Sequence, residues 1–170
     1  MGEIKNLSDD AAVKKMKEIA EGIDICMFCT SSDEHLFETR PMSTQLVDDN
    51  GDFWFFSESG SEKNKEVKED DQVQLIYAHR NDSHYMSVCG TASISKDRNK
   101  IDKLWKAHAK AWFQGGKDDP NLSVIRVRPT HAHYWDTKHG KMVALLSIAA
   151  SVIMGKKMDD GLEGDLKFNN

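Results

Sequence analysis

Residues 35–57, HLFETRPMSTQLVDDNGDFWFFS, read as a long strand, a tight turn and a returning strand. The first strand runs from His35 to Val47 with Pro41 inside it. Proline has no N–H to give a sheet ladder, so the strand bends, bulges or lies at an edge there. Asp48-Asp49-Asn50-Gly51-Asp52 is a hairpin turn, because Asn-Gly accepts the positive φ that such turns require. Phe53 to Ser57 returns along the first strand.

Working outward, Ser59-Gly60-Ser61-Glu62 opens a short helix to about Lys68, and Gln72 to Ala78 is another strand. Asn81-Asp82-Ser83 is a turn. From His84 to Ser95 the residues alternate, with Met86, Val88, Ala92 and Ile94 on one face, and Gly90 marks a bulge or a close backbone approach. Upstream, Ile23 to Thr30 is a buried strand. The helix before it spans residues 8–21, capped by Ser8 or Asp9 and stopped by Gly22. Downstream, Asp97 caps a long helix whose inward stripe is Ile101, Leu104, Trp105, His108 and Trp112, ended by Gln114-Gly115-Gly116-Lys117. Leu122 to Val127 and Thr130 to Asp136 form a last long strand. Met142 to Met154 reads as a third helix. The order is a helix followed by a meander of about six strands, and short connections make most pairs antiparallel.

The chain has 170 residues, which favours one domain. Its expected parts are a barrel with its helix over 8–140, a helix over 141–158 and a polar tail over 159–170. Lys and Arg total 23 against 28 Asp and Glu, a net charge of −5, and this acidic balance argues against a nucleic-acid partner. The longest apolar-rich run, Met142 to Met154, is shorter than the roughly 20 residues a membrane span needs. Met1 to Asp10 is polar and acidic, unlike an export signal. Three cysteines, an odd number, fit a reducing cytoplasm.

Cys26 and Cys29 have the C-x-x-C spacing, but on a strand residues three apart face opposite ways, so they read as buried structural thiols. His131 and His133 share a strand face and make half a zinc site at most, so no metal is expected. Nucleotide loops, dinucleotide fingerprints and nucleophile elbows are absent. The informative residues are Arg40, inside a strand, and Lys63, in a helix's first turn. An arginine there needs an anionic partner. A lysine at a helix start opposes the macrodipole, and a bound phosphate reverses that sign. Ser61, Lys63 and the free amides then converge on one anion, with Arg40 arriving from the adjacent strand. The plainer alternative pairs Arg40 with Glu38 or Glu58 and leaves Lys63 solvated.

In order and spacing, Arg40-Pro41-Met42, the hairpin, Phe55-Phe56-Ser57 and Ser61-x-Lys63 resemble the FMN-binding split barrel of the pyridoxamine 5′-phosphate oxidase-like superfamily. Val88-Cys89-Gly90-Thr91-Ala92, the Asp97 helix and Tyr134-Trp135-Asp136 continue the likeness. Within the superfamily the pattern is most similar to the bacterial general stress protein group. The resemblance implies a mainly β, α+β fold: a six-stranded antiparallel split β-barrel with peripheral helices. It also implies a homodimer with FMN at the subunit interface, acting as an FMN-dependent oxidoreductase whose substrate is unknown.

The resemblance further implies individual roles. Arg40, Lys63 and Ser61 would hold the FMN phosphate. Met42 and Ser43 would run along the isoalloxazine ring, and Gln45 would reach its polar edge. Phe56 and Ser57 would line the ribityl and phosphate side, with Trp135 arriving from the partner subunit. The chain departs from the oxidase proper at Glu62, where that enzyme carries a basic residue, and at Tyr85, where it carries Gln. It also lacks the oxidase's closing Arg-Leu-x-Pro segment. These departures argue against vitamin B6 oxidation but not against flavin. The alternatives are a flavin or haem sensor without turnover, His131 and His133 serving the haem, and a deazaflavin-dependent reductase. No residue is required to act as a general acid or base, so the catalytic residues stay unknown, with Tyr85, His131 and His133 the only candidates.

Overall fold

The computed structural model describes residues 3–32, 35–80, 83–106, 109–110, 112–137 and 161–167. Two short strands, β1 (Glu3–Ile4) and β2 (Leu7–Ser8), precede helix α1 (Asp9–Ile23). Strands β3 (Ile25–Thr30), β4 (Glu38–Val47) and β5 (Phe53–Glu58) follow, then helix α2 (Glu62–Glu69). Strands β6 (Gln72–His79) and β7 (His84–Ser95) lead to helix α3 (Arg98–Leu104), and β8 (Leu122–Thr137) and β9 (Gly161–Lys167) complete the described elements.

Six strands close a ring in the order β8, β5, β4, β3, β6, β7, with β7 returning onto β8. All six pairings are antiparallel. This is the expected α+β antiparallel barrel, but not the expected meander: β5 and β6 follow one another in the chain yet do not pair, β5 lying against β8 and β6 against β3. Closure removes the unpaired edges that an open sheet exposes.

Inward-facing residues of alternating strands fill the barrel: Phe28, Phe53, Phe55, Leu75, Tyr77, Val88, Ile125 and Val127. Phe28 and Phe55 meet edge to face at 5.4 Å, a contact worth about 0.5–1.5 kcal/mol beyond burial. Helix α1 lays Ala12, Met16, Ile19 and Ala20 on this core, positions spaced at three and four. A second apolar cluster lies beneath α3 and joins Ile101 and Leu104 to Trp54, Leu122 and Val124.

Gly90 sits at the register shift of β7 against β8. A β-carbon there would lie 2.5 Å from the Arg128 carbonyl oxygen, so the backbones approach closely. Asp97 caps α3 by accepting the Asn99 amide at 2.9 Å.

Three expectations change. Gly22 does not stop α1; the helix runs to Ile23, which packs on the core, and Asp24 takes the positive φ of 67°. A short polar side chain tolerates that conformation better than most residues. The long helix after Asp97 ends at Leu104, and Trp105 is extended. Trp105 and Phe113 both pack against Phe56, at 5.7 and 6.2 Å between ring centroids, so the chain folds back around Phe56. Trp112, expected in the inward stripe, is 82% exposed. His108 and the helix over 141–158 lie outside the described residues.

The polar tail over 159–170 contains β9 instead. It pairs antiparallel with β8 and parallel with β1 and β2. Leu162 and Leu166 reach the core, and Gly164 between them faces Lys5, whose carbonyl oxygen would stand 2.1 Å from an added β-carbon. No described helix is long and apolar enough to cross a membrane.

Candidate functional site

A cavity of about 700 Å³ opens beside the barrel between β4, β5, the start of α2 and the segment 109–121. Its size falls in the range of small-molecule and cofactor sites. Arg40, Met42, Ser43 and Gln45 reach it from β4, Phe56 and Ser57 from β5, and Lys63 from α2. Pro41 pairs with Met27 in unbroken register, and the irregularity of β4 lies instead at the register shift between Thr44 and Leu46, beside Gln45.

Arg40 and Lys63 stand together on one wall, close enough for the guanidinium to depress the ammonium's pKa. Burial is the larger cause, and together they hold Lys63 below the usual lysine range despite Glu58 and Glu66 nearby. Lys63 donates to Ser61 Oγ at 3.3 Å, and Ser61 donates to the Glu58 carbonyl at 2.8 Å. Ser61 is the N-cap residue of α2 but makes no side-chain cap bond. That leaves the first amides of the helix without a side-chain acceptor of their own.

Arg40 pairs with neither Glu38 nor Glu58. Its partner is Glu66, at 2.8 Å, and it also donates to Thr30 Oγ1. Thr30 in turn donates to the same Glu66 oxygen at 2.6 Å. Ser57 belongs to a buried network as well as to the cavity wall. Its hydroxyl donates to Asn64 Oδ1 at 2.6 Å, Asn64 Nδ2 donates to Ser123 Oγ at 3.1 Å, and Ser123 donates to the Ser57 carbonyl at 2.8 Å. Those bonds lock the first turn of α2 against β5 and β8. Half-satisfied polar groups in such a place are costly, so the closed network fixes the position of Lys63's backbone.

Gln45 is 8% exposed. Its amide donates to the Ser43 carbonyl at 3.1 Å, while Oε1 is buried without a hydrogen-bond partner among the described residues. An unpaired buried acceptor costs about 1–3 kcal/mol, so this atom suits a ligand N–H. A cation pair at one wall, a buried unpaired acceptor farther along β4 and apolar surface from Ile25, Met42, Phe56 and Phe113 fit a planar heterocycle carrying a phosphate.

Seven of the nine expected site residues line this cavity, and Ser61 touches it through Lys63. Trp135 does not line it. It lies on the outer barrel face, ring against His133 at 4.5 Å and opposite Tyr85 in the ladder. Ile25, Met27, Ile76, Tyr85 and Trp135 form an exposed apolar stripe across β3, β6, β7 and β8, and Ile25 is also cavity wall. His133 bonds Asp165 at 2.7 Å, away from the cavity, and His131 is exposed. Cys26 and Cys29 are buried, and burial pushes the Cys26 thiol up to about 12. Residue patterns gave no signal for Thr30, Glu66, Asn64 or Ser123. The helical stripe assigns Trp112 inward, which hides its place at the cavity, and it does not include Phe113.

The sequence profile described as "Pyridoxamine 5′-phosphate oxidase like" matches residues 11–159. The chain belongs to that family. Protein bli-3 of Neurospora crassa is 30% identical over 152 residues, covering 78% of this chain and 73% of that one. A crystal structure from Jannaschia sp. CCS1, assigned to general stress protein 26, superposes with a TM-score of 0.76 at 25% identity, covering 91% of this chain and 96% of that one. The general stress FMN/FAD binding protein of Xanthomonas citri matches at a TM-score of 0.63 and 27% identity, over 74% of this chain and 87% of that one. The matched span, 11–159, contains every residue that lines the cavity.

Proposed function

We propose that this chain is an FMN-binding flavoprotein of the general stress protein type, acting as a cytoplasmic oxidoreductase and homodimer. One observation carries the reading: Arg40 and Lys63 share a wall of a cavity that Gln45, with its buried unpaired acceptor, lines farther along β4. The Xanthomonas citri relative, described as binding FMN or FAD, supports the choice of ligand.

Arg40, Lys63 and Ser61 would hold the phosphate. Met42, Ser43 and Gln45 would orient the ring, and Phe56, with Phe113 behind it, would keep water from one side. When bound, the flavin supplies hydride or electron transfer, and the protein supplies anchoring and access. Residues 8–140 would form the flavin-binding barrel. The apolar stripe from Ile25 to Trp135 supports the dimer, because a second copy covering it would bring its own Trp135 toward the cavity. Three free cysteines fit a reducing compartment.

An absorbance scan of the purified protein and an FMN titration test the reading. Saturable binding with flavin bands is expected, and its absence overturns the assignment. The double variant Arg40→Ala/Lys63→Ala should weaken FMN binding by several kcal/mol, at about 1.5–3 for each charged contact. Stoichiometric FMN without oxidation of NAD(P)H would turn the reading from oxidoreductase to flavin-binding protein.

A further inference from the structure

Arg40 is held before any anion arrives. Its guanidinium donates from one terminal nitrogen to Glu66 Oε2, at 2.8 Å, and from the other to Thr30 Oγ1. Thr30 closes the figure with its own 2.6 Å bond to Glu66 Oε2. The three residues sit on three elements, β3, β4 and α2, and Thr30 is fully buried at the end of its strand. Two of the five guanidinium donors are thereby committed, and the plane of the group is set by two partners rather than one. The side chain still lines the cavity beside Lys63.

Glu66 is therefore in an ambiguous position. By charge alone, a carboxylate this close to an anion site repels the ligand and partly cancels the cation that should attract it. By geometry, it fixes the fork that must meet the phosphate, which cuts the ordering cost paid on binding. The closed triangle favours geometry. Thr30 has no charge and could not be part of a neutralising pair, yet it makes as many of these bonds as Glu66 does.

We propose that Glu66 and Thr30 are positioning residues that aim Arg40 at the phosphate, so that they set the preference for the phosphorylated flavin over riboflavin. This rests on the flavin reading above. The two accounts of Glu66 differ in sign, which makes the test direct.

FMN and riboflavin are titrated separately into the wild-type protein, Glu66→Ala and Thr30→Val. Thr30→Val keeps the β-branched shape on a strand and leaves the site's charge alone. Positioning predicts FMN affinity about tenfold weaker in each variant, the loss of one to two charge-assisted bonds, with riboflavin affinity within about twofold of wild type. Tighter FMN binding in Glu66→Ala shows that charge repulsion governs and overturns the proposal. Equal losses for FMN and riboflavin also overturn it, since a general loosening of the barrel would not distinguish the phosphate. Wild-type protein that binds neither flavin overturns the functional reading itself, and this inference with it. Binding by the wild type with unchanged FMN affinity in both variants overturns the inference alone.

Discussion

Lys15 and Lys63 are both half-buried lysines, and their pKa values move in opposite directions. Burial lowers both. For Lys15, on α1, that loss is outweighed by the Asp136 carboxylate at 2.5 Å, with Glu18 at 3.3 Å adding to it, and the pKa ends above the ordinary value. For Lys63 the nearest bonded group is a serine hydroxyl, and a guanidinium lies close by, so its pKa ends low. The first lysine has its anion built in and clamps α1 to the end of β8. The second faces an open cavity with its desolvation uncompensated. A buried lysine of the first kind belongs to stability and one of the second kind to binding.

Exchanging the two for alanine should separate these roles most strongly. Lys63→Ala should weaken FMN binding by about tenfold to a hundredfold, one charged contact, while thermal stability stays within about 0.5 kcal/mol. Lys15→Ala should leave FMN affinity alone and cost about 1.5–3 kcal/mol in urea unfolding. A loss of flavin affinity in Lys15→Ala, with none in Lys63→Ala, would abolish the contrast.

Alkaline titration should sharpen it. Lys63 titrates below 10.5, so FMN affinity should fall as pH rises through that lowered value, because the neutral amine no longer attracts phosphate. Its own contribution to folding has the reverse sign: the charged form is disfavoured in the fold, so stability tends to rise with pH between the lowered folded value and the unfolded one. Lys15, raised above 10.5, contributes stability that is complete below 10.5 and lost only as pH climbs through its folded pKa. Ligand release should thus precede loss of the clamp, as followed by flavin fluorescence and circular dichroism. Coincident transitions would contradict the assignment.

The smallest effect concerns burial with no ion of opposite charge in contact. Burial carries the Cys26 thiol to about 12, its hydrogen bond with Tyr77 notwithstanding, whereas Cys89 is exposed. A thiol reagent at neutral pH should modify Cys89 in the native protein and reach Cys26 only on unfolding. Mass spectrometry of labelled peptides reads this directly.

The strand β7 and the hairpin were legible because alternation along β7 and the Asp-Asn-Gly turn after β4 are local signals, whereas the pairings of β5 with β8 and β3 with β6 join strands distant in sequence and left no local mark. The partnership of Arg40 with Lys63 was legible for a related reason: each is costly where its own element puts it. Glu66 was not, because a glutamate on a charged helix is ordinary until Thr30 is folded against it. The helix after Asp97 failed as a long element because Phe56, distant in sequence, attracts Trp105 and Phe113. In β9 the pattern Leu162-x-Gly164-x-Leu166 was present but diluted by glycine and charge. Only the approach of Lys5 explains why a glycine belongs there.

Among the described residues, strands β1 and β2 find their sheet partner in β9, and the bond from Asp165 to Asn6 spans 159 positions. On a ribosome adding about 5–20 residues per second, that second half arrives roughly 8–32 seconds after the first. The earlier residues must therefore wait, without this partner, while the 159 positions between are made. Among the described strands, the seam joining them to β9 is the last that translation allows to close.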